Sequence, residues 1–210
     1  MSKIGFLMGS FDPIHVGHVN MIRLALNSGL LDKVIVVPSG HNPWKKEEPA
    51  PFDLRVKMIE ASIKQFGDKC EVSGIESTFE PPFYSNKPLN YFRKEFKNDE
   101  LYILCGTDTV NKIPHWKNAE NDILPFYGII EIARDCSNLG EDPYPISIYV
   151  NKDGDKKFIK TMVYPVKGLS INASSTGIRN CVMNNLIAYP LINDEVAKII
   201  SDNKLYAPKI

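Results

Sequence analysis

Residues Lys3–His18 read KIGFLMGSFDPIHVGH, and this stretch decides the fold. Lys3–Met8 is a short apolar run that stops at Gly9, the pattern of a buried strand. A loop holding Gly and Pro follows, Gly9–Ile14. From His15 to Asn27 the apolar residues Val16, Val19, Ile22, Leu24 and Leu26 suit a helix, with Ser28-Gly29 as its stop. Strand, glycine turn and helix in that order open a parallel α/β sheet, in which ligands bind beyond the carboxyl ends of the strands.

The rest of the chain keeps this rhythm. Lys33–Pro38 (KVIVVP) predicts a second buried strand, and the proline-rich Ser39–Phe52 a loop. Asp53 is expected to cap a helix carrying Leu54, Val56, Met58, Ile59 and Ile63. Cys70–Ser73 reads as a weak strand, Ser85–Phe96 as a helix, and Leu101–Cys105 and Tyr127–Ala133 as buried strands. The alternation predicts a doubly wound parallel sheet with right-handed crossovers. Residues 135–160 break it. Ser147–Val150 and Lys157–Lys160 flank NKDGDK, which predicts a β-hairpin turning at Asp153-Gly154. This segment is read as an insertion or an extension of the sheet. Thr161–Pro165 should return to the sheet, and helices at Ser174–Met183 and Asn193–Asn203 should close a single domain spanning 1–210.

Composition excludes several functions. The chain has 210 residues, 25 Lys+Arg against 25 Asp+Glu, and hence a formal net charge of zero. Bulk attraction to a nucleic-acid polymer or an anionic membrane needs an excess of positive charge that is absent here. No apolar run approaches the roughly 20 residues that span a bilayer. The N-terminus enters a strand with no signal-peptide plan. Cysteines at 70, 105, 136 and 181 form no C-x-x-C pair. They read as free thiols in a reducing cytoplasm.

Chemistry gathers in a few loops. Gly9 removes a side chain where backbone approaches a ligand, and Pro13 stiffens the turn. His15 and His18 are spaced to share a face in the first helical turn, where free N–H groups and the dipole favour anions. Two imidazoles there make a donor set for phosphate. Gly17 lets a backbone or base lie close. An ordinary turn with surface histidines is the plainer reading, and zinc binding lacks further evident ligands. Ser174-Ser175-Thr176-Gly177-Ile178-Arg179 starts a helix with hydroxyls, capped by Ser174 or Ser175. Arg179 stands one turn on as a forked donor. Gly106 and Asp108 end a buried strand, where a carboxylate can accept from ribose. Trp116, flanked by His115 and Lys117, offers a face to a flat cationic ring. Lys45 or Lys46, near Trp44 and His41, could neutralise a phosphate. All four histidines and both tryptophans fall in these loops.

GSFDPIHVGH resembles the G-x-F-x-P-x-H-x-G-H signature of the nucleotidyltransferase superfamily, and SSTGIR resembles its S-[ST]-T-x-I-R signature. Ala173 and Gly177 are departures from the second pattern, but neither removes a phosphate donor. The resemblance implies a Rossmann-like fold and transfer of a nucleotidyl group from ATP or CTP with release of pyrophosphate. YILCGTD, IPHWKN, HNPWKK and the closing NDEVAKIISDNKLYA together resemble the nicotinate/nicotinamide mononucleotide adenylyltransferases. That branch implies ATP and a pyridine mononucleotide as partners, Mg²⁺ with the ATP, and no dedicated protein metal ligands. His18 would meet the α-phosphate and His15 a phosphate nearby. Gly9, Ser10, Gly106, Asp108, Ser174, Ser175, Thr176 and Arg179 would bind ATP. Ser10, Phe11, Trp116 and one of Lys45 and Lys46 would bind the mononucleotide. The loop Pro38–Trp44 differs from the commoner family versions and leaves acid or amide open. Also open are homo-oligomerisation, another superfamily branch (a phosphopantetheine, riboflavin phosphate or cytidylyl acceptor), and a non-catalytic nucleotide sensor.

Overall fold

The computed structural model describes residues 1–40, 48–133, 142–152, 155–169, 171–186 and 188–208. Strands β1 (Lys3–Gly9), β2 (Lys33–Pro38), β3 (Cys70–Val72), β4 (Glu100–Gly106), β5 (Tyr127–Ile132), β6 (Tyr144–Lys152) and β7 (Asp155–Val166) form one sheet, ordered β3-β2-β1-β4-β5-β7-β6. Every pairing is parallel except β6 with β7. Helices α1 (Val16–Asn27), α2 (Phe52–Ile63), α3 (Asn86–Glu95), α4 (Thr107–Val110), α5 (Ser175–Met183) and α6 (Asp194–Asp202) connect or follow the strands. This is the α/β Rossmann-like doubly wound sheet expected from the sequence.

The continuous apolar runs have a direct cause. Val34 and Val36 of β2 pack into one core with Leu7, Ile22 and Met58, while Ile35 and Val37 pack into the opposite core with Phe6, Leu89 and Phe92. A strand buried on both faces needs apolar residues at every position. From β1 the chain winds outward to β2 and β3, then returns to β4 and continues the other way. The order therefore reverses between β1 and β4, and a crevice opens beyond their carboxyl ends.

Two expectations are corrected. Asp53 does not cap α2. The helix begins at Phe52 after Pro51, which makes no side-chain cap, and Asp53 lies in the first turn, where its charge suits the dipole. The hairpin arm Lys157–Lys160 and the returning Thr161–Pro165 are one continuous strand, β7. Its alternation runs unbroken: Phe158 and Lys160 are exposed, while Ile159, Thr161 and Val163 are buried. It pairs with β6 from Tyr144↔Val163 to Lys152↔Asp155, so β6 and the first part of β7 extend the sheet at its edge. The expected turn residues Asp153 and Gly154 lie outside the described residues. No helix among those described is long and apolar enough to cross a membrane.

Candidate active site

A cleft of about 1290 Å³ lies at the reversal point, between the ends of β1 and β4 and the starts of α1 and α5. Of the residues singled out in the sequence, Gly9, Ser10, His15, His18, Gly106, Asp108, Trp116, Ser174, Ser175 and Thr176 line it. Phe11 and Arg179 are not among the lining residues. Lys45 and Lys46, with His41 and Trp44, lie outside the described residues.

The histidines do more than share a face. His15 is the N-cap of α1 rather than a member of its first turn, and its Nδ1 accepts from the Gly17 N–H at 3.1 Å. His18 Nδ1 accepts in return from the His15 N–H at 3.3 Å. The rings stack with centroids 3.7 Å apart. Phe11 meets His18 edge-on at 4.9 Å. When Nδ1 of a neutral imidazole accepts, Nε2 carries the proton. The helix cap thus sets the tautomer of each neutral ring, with the proton on Nε2.

Both glycines line the cleft and also leave room for a neighbouring ring. A Cβ at Gly9 would lie 3.2 Å from the Phe11 ring. One at Gly17 would lie 3.0 Å from the His15 ring and 3.4 Å from the Ile171 carbonyl. Phe11 itself is buried, with φ 47°, and its ring belongs to the core.

The second motif is bound to the first. Ser174 caps α5, its Oγ accepting from the Gly177 N–H at 3.0 Å. Ser175 Oγ donates to the Pro13 carbonyl at 2.9 Å. Arg179 Nη1 donates to the Asp12 carbonyl at 2.8 Å and lies 3.8 Å from the Asp12 carboxylate. Its Nη2 donates to Thr176 Oγ1 at 3.3 Å. The guanidinium therefore braces the loop, and the N-termini of α1 and α5 both face the cleft. Two helix N-termini with hydroxyl and imidazole donors suit a polyphosphate.

Across the cleft, Trp116 is half-buried, with one part packed against the second core and another facing the cavity. Asp108 lies in the first turn of α4 after Gly106, which is the N-cap. Lys112 and Lys117 are exposed on the same wall.

Sequence reasoning missed a buried polar layer under the loops. Asp12 Oδ1 accepts from the Ala50 N–H at 3.1 Å and from the Tyr206 hydroxyl at 2.6 Å. Burial and the Asp12 carboxylate both push the Tyr206 phenol up, so it stays a donor at neutral pH. Arg55 and Glu76 are also buried. Desolvation pushes Arg55 down against the opposing pull of Asp12, and pushes Glu76 up against the Gly40 N–H and Arg55. A Tyr in the closing LYA and an Asp inside the first motif were the only signals available.

A family model described as cytidylyltransferase-like matches residues 6–181. A protein of Clostridium novyi (strain NT) named "Probable nicotinate-nucleotide adenylyltransferase" is 31% identical, over 98% of this chain and 100% of its own. One of the same name from Methylacidiphilum infernorum (isolate V4) is also 31% identical, over 98% of this chain and 93% of its own. Among solved structures, the Plasmodium falciparum nicotinic acid mononucleotide adenylyltransferase complexed with NaAD superposes with a TM-score of 0.75 at 18% identity, covering 98% of both chains. At that identity the likeness is one of fold.

Proposed function

The chain belongs to the nicotinate-nucleotide adenylyltransferase family of cytidylyltransferase-like nucleotidyltransferases, and on that premise we propose that it joins ATP to nicotinate mononucleotide. The products are nicotinate adenine dinucleotide, the deamido precursor form of NAD, and pyrophosphate. The observation that carries the site is the meeting of the two motifs across one cleft, Ser175 on Pro13 and Arg179 on Asp12.

A phosphate monoester has its second pKa near ~6 and is mostly dianionic at neutral pH. Its oxygen attacks the α-phosphorus of ATP, and the bond from that phosphorus to the β-bridging oxygen breaks. The electron pair leaves with pyrophosphate, so no general base is needed. The protein positions the reactants and stabilises charge. His18 Nε2–H is assigned to the α-phosphate and His15 to an adjacent phosphate. The amides opening α5, with Ser174 and Thr176, are assigned to the β- and γ-phosphates. The Ser175 hydroxyl and Arg179 hold that helix against the Pro13 loop, so they act on the phosphates through it. Ser10 and Trp116 face the mononucleotide, Trp116 by stacking on the pyridinium.

The residues also suit magnesium carried in with ATP. Among the described residues no group of three or more His, Cys, Asp or Glu side chains could hold an ion. The ion would keep phosphate and water ligands, as its reluctance to dehydrate favours. When bound, it supplies charge neutralisation for the leaving pyrophosphate. A cytoplasmic setting is supported by the free Cys70, Cys105 and Cys181. Burial pushes the Cys70 thiol up to about 12, and it raises Cys105 as well, so both are unreactive.

A pyrophosphate-release assay with ATP and a panel of acceptors tests the reading. Nicotinate mononucleotide should give the highest kcat/KM, above its amide, riboflavin phosphate and phosphopantetheine. Release with none of the pyridine mononucleotides would sink it. Trp116→Ala should raise the KM for the mononucleotide about tenfold, the worth of a desolvated cation–π contact, and leave the KM for ATP unchanged. Equal rises in both would make Trp116 a packing residue only.

A further inference from the structure

Arg55 lies on α2 with 1% of its surface exposed, and its side chain reaches under the floor of the cleft. Its Nε donates to the Ala50 carbonyl at 2.9 Å. Nη1 donates to the Ser10 carbonyl at 2.7 Å and to the Ser39 carbonyl at 2.8 Å. Nη2 donates to the Gly40 carbonyl at 2.9 Å. Ser10 is the exit from β1, Ser39 and Gly40 are the exit from β2, and Ala50 is the approach to α2. A single planar fork therefore joins both ends of the β2–α2 connection to the first motif.

The surrounding groups tighten this clamp. The Gly40 N–H donates to the Glu76 carboxylate at 2.9 Å, so that peptide is held at both its N–H and its carbonyl. A Cβ at Gly40 would lie 2.7 Å from the Phe83 ring. The Ser39 N–H donates to the Gly9 carbonyl at 2.8 Å. Ser10, Ser39 and Glu76 all line the cleft.

A buried charge is a poor device for stability alone, because desolvation offsets much of what its partners return. What a guanidinium offers is geometry, several donors in a fixed plane. We propose that Arg55 is a positioning residue for the acceptor side of the adenylyl transfer, fixing the Ser10 and Ser39–Gly40 backbone that receives the mononucleotide. This rests on the function proposed above. His15 and His18, by contrast, are held chiefly by their own cap and stacking, so the ATP side depends far less on the clamp.

Two variants reach it from different sides. Arg55→Lys keeps the charge but puts one point donor where a fork spanned separate carbonyls. Gly40→Ala leaves Arg55 intact and drives the Gly40 backbone off it by contact with Phe83. Both should melt cooperatively. Both should raise the KM for nicotinate mononucleotide about tenfold or more, as misplacement of a substrate-positioning group does, with a much smaller change in the KM for ATP. Calorimetric binding of each substrate should show the same split without turnover. If Arg55→Lys does not fold, Gly40→Ala carries the test alone. An active wild type with unchanged mononucleotide constants in the folded variants overturns the role of Arg55. So does an equal loss of affinity for both substrates. A wild type inert toward the mononucleotide overturns the functional reading as well.

Discussion

His18→Ala is expected to lower kcat about 10²–10³-fold, the loss seen when one donor to developing charge is removed from a preorganised site. The charge on the α-phosphoryl oxygens grows as the new bond forms, and His18 Nε2–H is the donor assigned to it. Its tautomer is fixed by backbone, because Nδ1 accepts from the His15 N–H at 3.3 Å. Its plane is fixed by rings, His15 at 3.7 Å and Phe11 at 4.9 Å. Nothing therefore has to reorganise as charge develops. The same contacts mean the variant is not silent in folding. Alanine removes half of a reciprocal helix cap, which costs about 1 kcal/mol. For a chain of this size that lowers Tm by about 2–4 °C. The expected signature is thus a large kcat loss with a small Tm loss. A variant that turns over at the wild-type rate removes His18 from the reaction. One that unfolds at assay temperature removes the separation between cap and catalysis.

The fold was legible because doubly buried strands write themselves as unbroken apolar runs, as KVIVVP does at β2. Helix α1 was legible because Val16, Val19, Ile22 and Leu26 recur at helical spacing; Val19 and Ile22 are buried, together with Ala25, which that pattern did not mark. Its exact start was not legible, since a histidine serving as an N-cap has no local pattern of its own. The long β7 was hidden because a tempting Asp-Gly turn drew attention to a short hairpin arm, while the alternation beyond it continued. In the site, Ser10, His15, His18, Asp108, Trp116 and Ser174–Thr176 were legible as motif positions, while Phe83, Tyr84 and Ser85, which also line the cleft, carried no such signal. The layer beneath was not legible. Arg55 stands between Leu54 and Val56 and reads as the polar face of an amphipathic helix. Its burial depends on where the carbonyls of Ser10, Ser39 and Gly40 turn, which periodicity cannot show. Tyr206 and Asp12 meet across nearly the whole chain.

Asp12→Ala is expected to be the most destabilising change at the site, by about 3–5 kcal/mol, because it leaves buried positive charge without its partner. Asp12 is 5% exposed. Its carboxylate lies 3.8 Å from Arg179 Nη1 and also holds Arg55 charged against the cost of burial. Alanine also orphans the Tyr206 hydroxyl and the Ala50 N–H. The Tm should fall by about 10 °C or more. Two companions separate charge from hydrogen bonding. Asp12→Asn keeps an oxygen for Tyr206 and Ala50 but not the charge, and should fall between wild type and alanine. Tyr206→Phe removes one donor from a carboxylate that keeps its other partners, and should cost only about 1.5–3 kcal/mol. The order Ala, Asn, Phe in loss of Tm follows if Asp12 is mainly a counter-ion. If Asn and Ala are equally harmful, charge outweighs the hydrogen bonds altogether. If Tyr206→Phe matches Asp12→Ala, the hydroxyl is the principal tie, and the C-terminal segment rather than the arginines sets the posture of the phosphate loop. An Asp12→Ala protein melting at the wild-type temperature would show that neither guanidinium depends on it.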